Sequence, residues 1–265
     1  MSGSLQRIYA LVLRHIYLWR SSVMRLVDSI YWPAVQMVMW GFMTQYLLPQ
    51  ASFVAQAAGV LLSGLLLWEV VVRGNLSLSI AFLEEIWSRN LGHLFVSPIR
   101  SWELAAGIII ASLLRTLLGM IPVSLMAWAF FGYSIYTLGL PLLAFFVILQ
   151  MFSWSIGLAM SGLVMRVGQS AESFAWAAVF VLMPVSGVYY PISVLPHWLQ
   201  VIAWGLPPAY IFEGMRSIML EKTVHWDMLA VAFGLSAVYL VIGFQVFQWF
   251  FRSSRRVGSL LGQGE

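Results

Sequence analysis

The sequence predicts an all-α membrane protein with six transmembrane helices, and three observations support that. Of 265 residues, 61% are hydrophobic and only 9% charged, against roughly a quarter charged in an average soluble domain. Mean hydropathy is +0.88, more apolar surface than a water-soluble fold of this size can hide, so lipid is the solvent for most of it. The apolar residues also gather into windows of about 20, the length a helix needs to cross a bilayer core. The chain has no cysteine, which excludes a disulfide framework, a thiolate metal site and a cysteine nucleophile.

Taken in order, the windows are 27–48, 55–75, 102–131, 138–165, 174–194 and 227–251. The third and fourth exceed one crossing, so they tilt or extend into water. Residues 191–226 are also apolar but carry Pro191, Pro196, Pro207 and Pro208. Proline removes a backbone donor and breaks helices, which predicts short re-entrant or outer-surface helices there, not a seventh span. Ahead of the first window, Leu5, Ile8, Tyr9, Val12, Leu13, Ile16 and Tyr17 recur at helical spacing with Arg7, Arg14 and Arg20 between them. Residues 1–25 therefore read as an amphipathic interfacial helix facing lipid headgroups, and no small-residue cleavage site follows it. Residues 253–265 read as a short tail, and the whole of 1–265 as one transmembrane domain without an evident internal repeat.

The basic residues set the orientation. With the N-terminus in the cytoplasm, Arg7, Arg14, Arg20, Arg25, Arg73, Arg89, Arg100, Arg166, Arg252, Arg255 and Arg256 fall on or near the inner side, whereas Arg216 and Lys222 fall outside. Both termini are therefore predicted to be cytoplasmic by the positive-inside rule. That placement also accounts for the net charge of +4 without a nucleic-acid partner.

Between the second and third windows lies a charged island, 83–97. Glu84, Glu85, Ser88 and Arg89 form its polar side, and Leu83, Ile86, Trp87, Leu91, Leu94 and Phe95 its apolar side. The spacing predicts an amphipathic helix ended by Ser97-Pro98. Ser101 is then placed to cap the next span, with Glu103 in its first turn, where the helix dipole favours an anion. Such a helix either packs on a partner in the water or is only a solvated loop.

Ionisable groups inside spans point to function or to pairing. Glu69 and Arg73 stand four apart on one face of the second span, as a structural ion pair or the polar lining of a gate. Arg115 in the third span pairs with Glu69, faces an aqueous path or binds an anionic headgroup. Among 13 tryptophans, Trp32, Trp102, Trp198, Trp204, Trp226 and Trp249 lie near span ends, where an aromatic belt explains them. Trp68, Trp154 and Trp176 lie deeper and are pathway or packing candidates. Glu172 suits the dipole at the start of the fifth span. His93 and His197 have no second histidine or carboxylate at metal spacing. Ser112, Ser155 and Ser161 have no histidine in a nucleophile motif, so no catalytic residue and no metal site are expected.

The string Trp87-Ser88-Arg89-Asn90-Leu91 through Leu94-Phe95-Val96-Ser97-Pro98, with Trp102-Glu103 after it, resembles the first cytoplasmic loop of ABC-2 type transporter permeases. A second match runs from Ser186-Gly187-Val188-Tyr189-Tyr190-Pro191-Ile192 through Leu195-Pro196-His197-Trp198-Leu199 and Leu206-Pro207-Pro208-Ala209-Tyr210 to Arg216. It is similar to the outer segment after the fifth span of that family, although Pro208 stands where the family more often has a polar residue. The likeness covers essentially the whole chain.

This resemblance implies that 83–97 is a coupling helix, with Glu84, Glu85, Trp87, Arg89, Asn90, Leu94, Ser97 and Pro98 docking on a separate ATPase. Gly187, Pro191, Pro196, Pro207 and Tyr210 would shape the outer segment. It implies a dimer of two permease chains, identical or related, over two ATPase copies in the bacterial inner membrane. ATP and Mg would be bound by that partner and no cofactor by this chain. In keeping with this, the sole lysine, Lys222 after Glu221, does not sit in a P-loop. The expected cargo is a drug-like or amphipathic, lipid-like molecule, with lipid-linked polysaccharide as the alternative. An ATP-independent transporter using Glu69, Arg73 and Arg115 as an ion path is a rival reading, and an intramembrane enzyme acting on lipid is a weaker one.

Overall fold

The computed structural model describes residues 2–21, 23–47, 52–87, 98–168 and 171–257. Among them are nine α-helices: α1 (Ser2–Arg20), α2 (Val23–Leu47), α3 (Ser52–Trp87), α4 (Ser101–Phe131), α5 (Leu140–Val167), α6 (Ala171–Val185), α7 (His197–Trp204), α8 (Pro207–Glu221) and α9 (Trp226–Val257). Short 3-10 turns at Ile135–Leu138 and Ile192–Val194 complete the path, and the described residues contain no strand.

Four of these helices are long and apolar enough to cross a membrane: Gly59–Glu84 within α3, Ser101–Phe131, Leu140–Val167 and Trp226–Ser254 within α9. The other two predicted spans fall short for separate reasons. α2 carries Arg25, Asp28 and Pro33 in its first half, which lowers its hydropathy. α6 has 15 residues and stops at a turn where Gly187 takes φ +64°, a conformation that suits glycine because a side chain there clashes with the backbone. The predicted span 174–194 therefore ends early, and its last part is loop and 3-10 turn.

Two further boundaries depart from expectation. α3 is unbroken from Ser52 to Trp87, so residues 83–87 continue a span and do not begin a separate island helix. Nothing between Asn75 and Trp87 breaks a helix; Glu84 and Glu85 are good helix formers at the end of an apolar run. At α4 the N-cap is Arg100, not Ser101, which is already helical. Glu103 accepts the Arg100 backbone N–H at 3.0 Å, which satisfies one of the donors a helix start leaves open.

α3 is the central column. Its apolar stretch is 83% buried, against 22% for that of α9, so α9 faces lipid along most of its length. The larger core cluster gathers Leu65, Leu66, Leu67 and Val70 of α3 with Phe145, Leu149 and Phe152 of α5 and Phe212 and Met215 of α8. A second cluster at the opposite end joins Leu78 and Phe82 to Leu104, Ile108, Leu158 and Phe247. Small residues bring the helices close, as expected where lipid gives no hydrophobic drive for association. A Cβ on Gly119 of α4 would lie 2.7 Å from the Ser29 carbonyl of α2, and one on Gly157 of α5 2.9 Å from Leu78 of α3. α5 and α9 run parallel in constant register: Ser236 Oγ donates to the Ile148 carbonyl, Gly243 faces the Ser155 carbonyl, and Gly162 faces Phe250.

Candidate functional site

The helix arrangement leaves a polar cavity of about 340 Å³ between α2, α3, α4 and α6. α3 supplies its floor: Glu69, Arg73 and Ser77 recur at i, i+4 and i+8, one face of the helix. Glu69 is 3% exposed, and its Oε2 lies 3.5 Å from Arg73 Nε. Pairing is how a carboxylate offsets the cost of leaving water. Arg115 of α4 lines the same space and donates through Nε to Ser29 Oγ at 3.4 Å. Gln36 of α2 adds an amide, and Trp32 of α2 with Trp176 and Phe180 of α6 form an aromatic rim. Trp176 and Phe180 stack with ring centroids 6.2 Å apart, and Trp32, Trp176 and Phe180 are all exposed.

This cavity brings together four residues that the sequence places on three helices: Glu69, Arg73, Arg115 and Trp176. The other two candidates lie elsewhere. Trp68 is buried in the core beside Phe212, ring centroids 6.2 Å apart, and is a packing residue. Trp154 lines a separate cleft between α4 and α5. Of the coupling candidates, Glu84 is half-buried near the end of α3 and Pro98 is exposed in a bend. The α3 backbone extends through Glu85 and Trp87, while Arg89, Asn90, Leu94 and Ser97 lie outside the described residues.

With the fold and cavity defined, the chain can be compared with known proteins. A family model described as "ABC-2 type transporter" matches residues 9–220. The chain belongs to the ABC-2 type transporter family. It is similar to the inner membrane transport permease YadH of Escherichia coli strain K12, 23% identical over 182 residues that cover 67% of this chain and 68% of that protein. The proteins of the same name from Escherichia coli O157:H7 and Shigella flexneri match to the same extent. ABC-2 permeases are membrane subunits that normally work with an ATP-binding subunit.

In this ABC-2 permease two ion pairs lie at opposite ends of the bundle, and sequence reading missed both. Arg7 of α1 grips Glu103 of α4 with two bonds, Nε to Oε2 at 2.9 Å and Nη2 to Oε1 at 2.6 Å, while Nη2 also reaches Ser4 Oγ. The Glu103 hydrogen bond holds the Arg7 guanidinium above its ordinary pKa. One turn on, Leu11 packs over Gly107, so α1 rests on the start of α4. Glu103 had an adequate explanation in the helix dipole, and nothing in its neighbourhood points to a partner 96 residues away.

At the proline-rich end, Arg216 of α8 donates through Nη1 to the Gly187 carbonyl at 2.8 Å and lies 3.2 Å from Glu213. Glu213 Oε1 in turn accepts the Ile192 N–H at 2.7 Å. Of the outer-segment candidates, Gly187 thus supplies the turn. Pro191 and Pro196 are the N-caps of the 3-10 turn and α7, and Pro207 opens α8. Tyr210 donates to the Trp204 carbonyl at 2.9 Å. The i, i+3 spacing of Glu213 and Arg216 was the available signal for this pair.

Proposed function

We propose that this chain is the permease subunit of an ATP-driven exporter, working as a dimer on two copies of a separate ATPase and moving a drug-like or amphipathic, lipid-like molecule. The cavity carries this reading. Its volume suits a small ligand. Its aromatic rim accepts an apolar body, and Glu69, Arg73, Arg115, Gln36 and Ser77 accept a polar group. The rim opens on an apolar face made by Val35, Met39 and Phe42 of α2 with Phe174, Phe180 and Val181 of α6, all exposed. A second permease chain seated on that face would turn two cavities into one path. α2 and α6 then complete six crossings of a bacterial inner membrane, with both termini cytoplasmic as the arginine bias requires.

Power comes from the partner, which binds ATP and Mg; the island at 83–97 is the seat for it. α3 runs as one rigid element from the cavity floor at Glu69 to Trp87, so a displacement of the island reaches the cavity without a hinge. Nucleotide acts by binding one arrangement of the two halves more tightly than the other.

The test is affinity purification from native membranes, then reconstitution in vesicles with a fluorescent amphiphile. A nucleotide-binding subunit is expected in stoichiometric yield, with transport dependent on ATP. Glu85→Ala with Arg89→Ala is expected to lower transport about tenfold while the chain still inserts. Transport driven by a proton or ion gradient without a nucleotide-binding subunit overturns the reading. Accumulation of a lipid-linked glycan in a deletion strain moves the cargo to the polysaccharide class.

A further inference from the structure

Back to back with the polar cavity, across α3, lies a second space of different chemistry. It is a cleft of about 560 Å³ between α4 and α5, floored by Leu66 and Val70 of α3. No charged side chain lines it. Its mouth faces the lipid side, where Ile121 and Leu143 are exposed. Near the α4–α5 turn, the Tyr136 and Ser124 hydroxyls bond each other at 2.8 Å and so are already partnered.

Deeper in, the polar groups are not. Gln150 is 1% exposed, lines the cleft, and has neither its amide nitrogen nor its amide oxygen hydrogen-bonded. Trp154, one turn on along α5 and on the same wall, has an indole N–H that is likewise buried and unpartnered. Buried polar atoms in native proteins are almost always hydrogen-bonded, and lipid tails offer neither donor nor acceptor. Two donors and one acceptor converge here on otherwise apolar walls.

We propose that the α4–α5 cleft is a binding site for an uncharged hydrophobic molecule with a hydroxyl or carbonyl group within its apolar body, held by the Gln150 amide and the Trp154 indole. A carbonyl or hydroxyl oxygen accepts from both N–H groups, and a hydroxyl also donates to the Gln150 oxygen. Depth decides the position of that group. Gln150 lies about 15 Å along the axis from the end of α5 at Leu140, about half the thickness of a bilayer core. The ester groups of a phospholipid lie at the interface and do not reach it. The uncharged lining excludes an ionised group, which lipid-facing walls cannot solvate. The site stands apart from the Glu69–Arg73 cavity and does not depend on what that cavity carries.

The experiment photolabels the full chain in phosphatidylcholine nanodiscs. One probe is a hexadecane with a mid-chain hydroxyl and a diazirine; the other is the same probe without the hydroxyl. Crosslinked peptides are mapped by mass spectrometry. The hydroxyl probe is expected to mark the cleft walls, 113–124 and 142–154, about tenfold more than its hydrocarbon counterpart, with unlabelled mid-chain alcohol competing. Gln150→Leu with Trp154→Phe is expected to make the two probes equal. Leu117→Trp, which fills the cleft without touching the polar pair, is expected to remove both labels from these walls. Should the double variant fail to fold, the probe pair on the unmodified chain and Leu117→Trp still decide. Equal labelling by both probes over all lipid-facing helices overturns the proposal and leaves only bulk lipid or a buried water at Gln150. A hydroxyl preference that survives the folded double variant also overturns it.

Discussion

The two ends of the bundle are each closed by an arginine and a glutamate, but the pairs are wired differently. At one end Arg7 and Glu103 join separate helices, side chain to side chain, with Glu103 wholly buried and Arg7 33% exposed. At the other, Glu213 and Arg216 are neighbours on one helical turn, and both spend further atoms on loop backbone: the Gly187 carbonyl and the Ile192 N–H. A side chain bonded to loop backbone fixes the shape of that loop. A side-chain bridge between two helices makes them move together without fixing where they go. The proline-rich end is therefore built as a rigid cap. The opposite end, five residues after Pro98, is built to carry displacement from the island into α4 and α1 at once.

The largest expected effect falls on the cap. Arg216→Ala leaves a carboxylate and a carbonyl without their donor, and removing one member of a buried pair costs about 3 kcal/mol. Thermal unfolding in detergent should drop by several degrees, and limited proteolysis should cut within 186–196. Glu213→Gln keeps an oxygen for the Ile192 N–H and should cost less. Equal stability losses at both ends of the bundle would erase the contrast.

Next in size is the transmitting pair. Glu103→Ala should lower ATP-driven transport of the reconstituted complex about tenfold, with a smaller change in thermal unfolding than Arg216→Ala gives. Arg7→Ala should act in the same direction, since either change frees α1 from α4. A double exchange, Arg7→Glu with Glu103→Arg, should restore only part of the coupling, because the arginine then faces the positive end of the α4 dipole. Loss of stability without loss of coupling would place Glu103 among simple caps.

These pairs also show what a sequence discloses. Helices were legible because apolar windows and prolines are local signals; α4, α5 and α9 lie within a few residues of expectation, and α1 follows its amphipathic spacing. Glu69 and Arg73 were legible as a pair because i, i+4 spacing suffices. That Arg115 and Trp176 converge on them is decided by helix packing through Gly119 and the α3–α6 contact, where Asn75 donates to the Ala175 carbonyl at 3.0 Å. No periodicity encodes that. Trp68 and Trp154 resembled Trp176 in depth but face a core and a different cleft, since depth says nothing of direction around a helix. The unpaired amide of Gln150 was invisible for a related reason: whether a buried polar group finds a partner depends on every helix around it.

The smallest effect tests how far the cap depends on backbone-directed bonds beyond its arginine. Tyr210 donates to the Trp204 carbonyl at 2.9 Å and packs edge-on against the Trp204 ring, centroids 5.0 Å apart. Tyr210→Phe removes the first and keeps the second. The freed carbonyl lies at the end of α7, beside the exposed Tyr210 hydroxyl, where water can replace the donor. The cost should therefore stay at about 0.5–1 kcal/mol, below that of Arg216→Ala. Tyr210→Ala removes the ring as well and should cost more, by about the value of an aromatic pair. If Tyr210→Phe instead matches Arg216→Ala in unfolding temperature, the α7–α8 junction and not the arginine is what holds the cap.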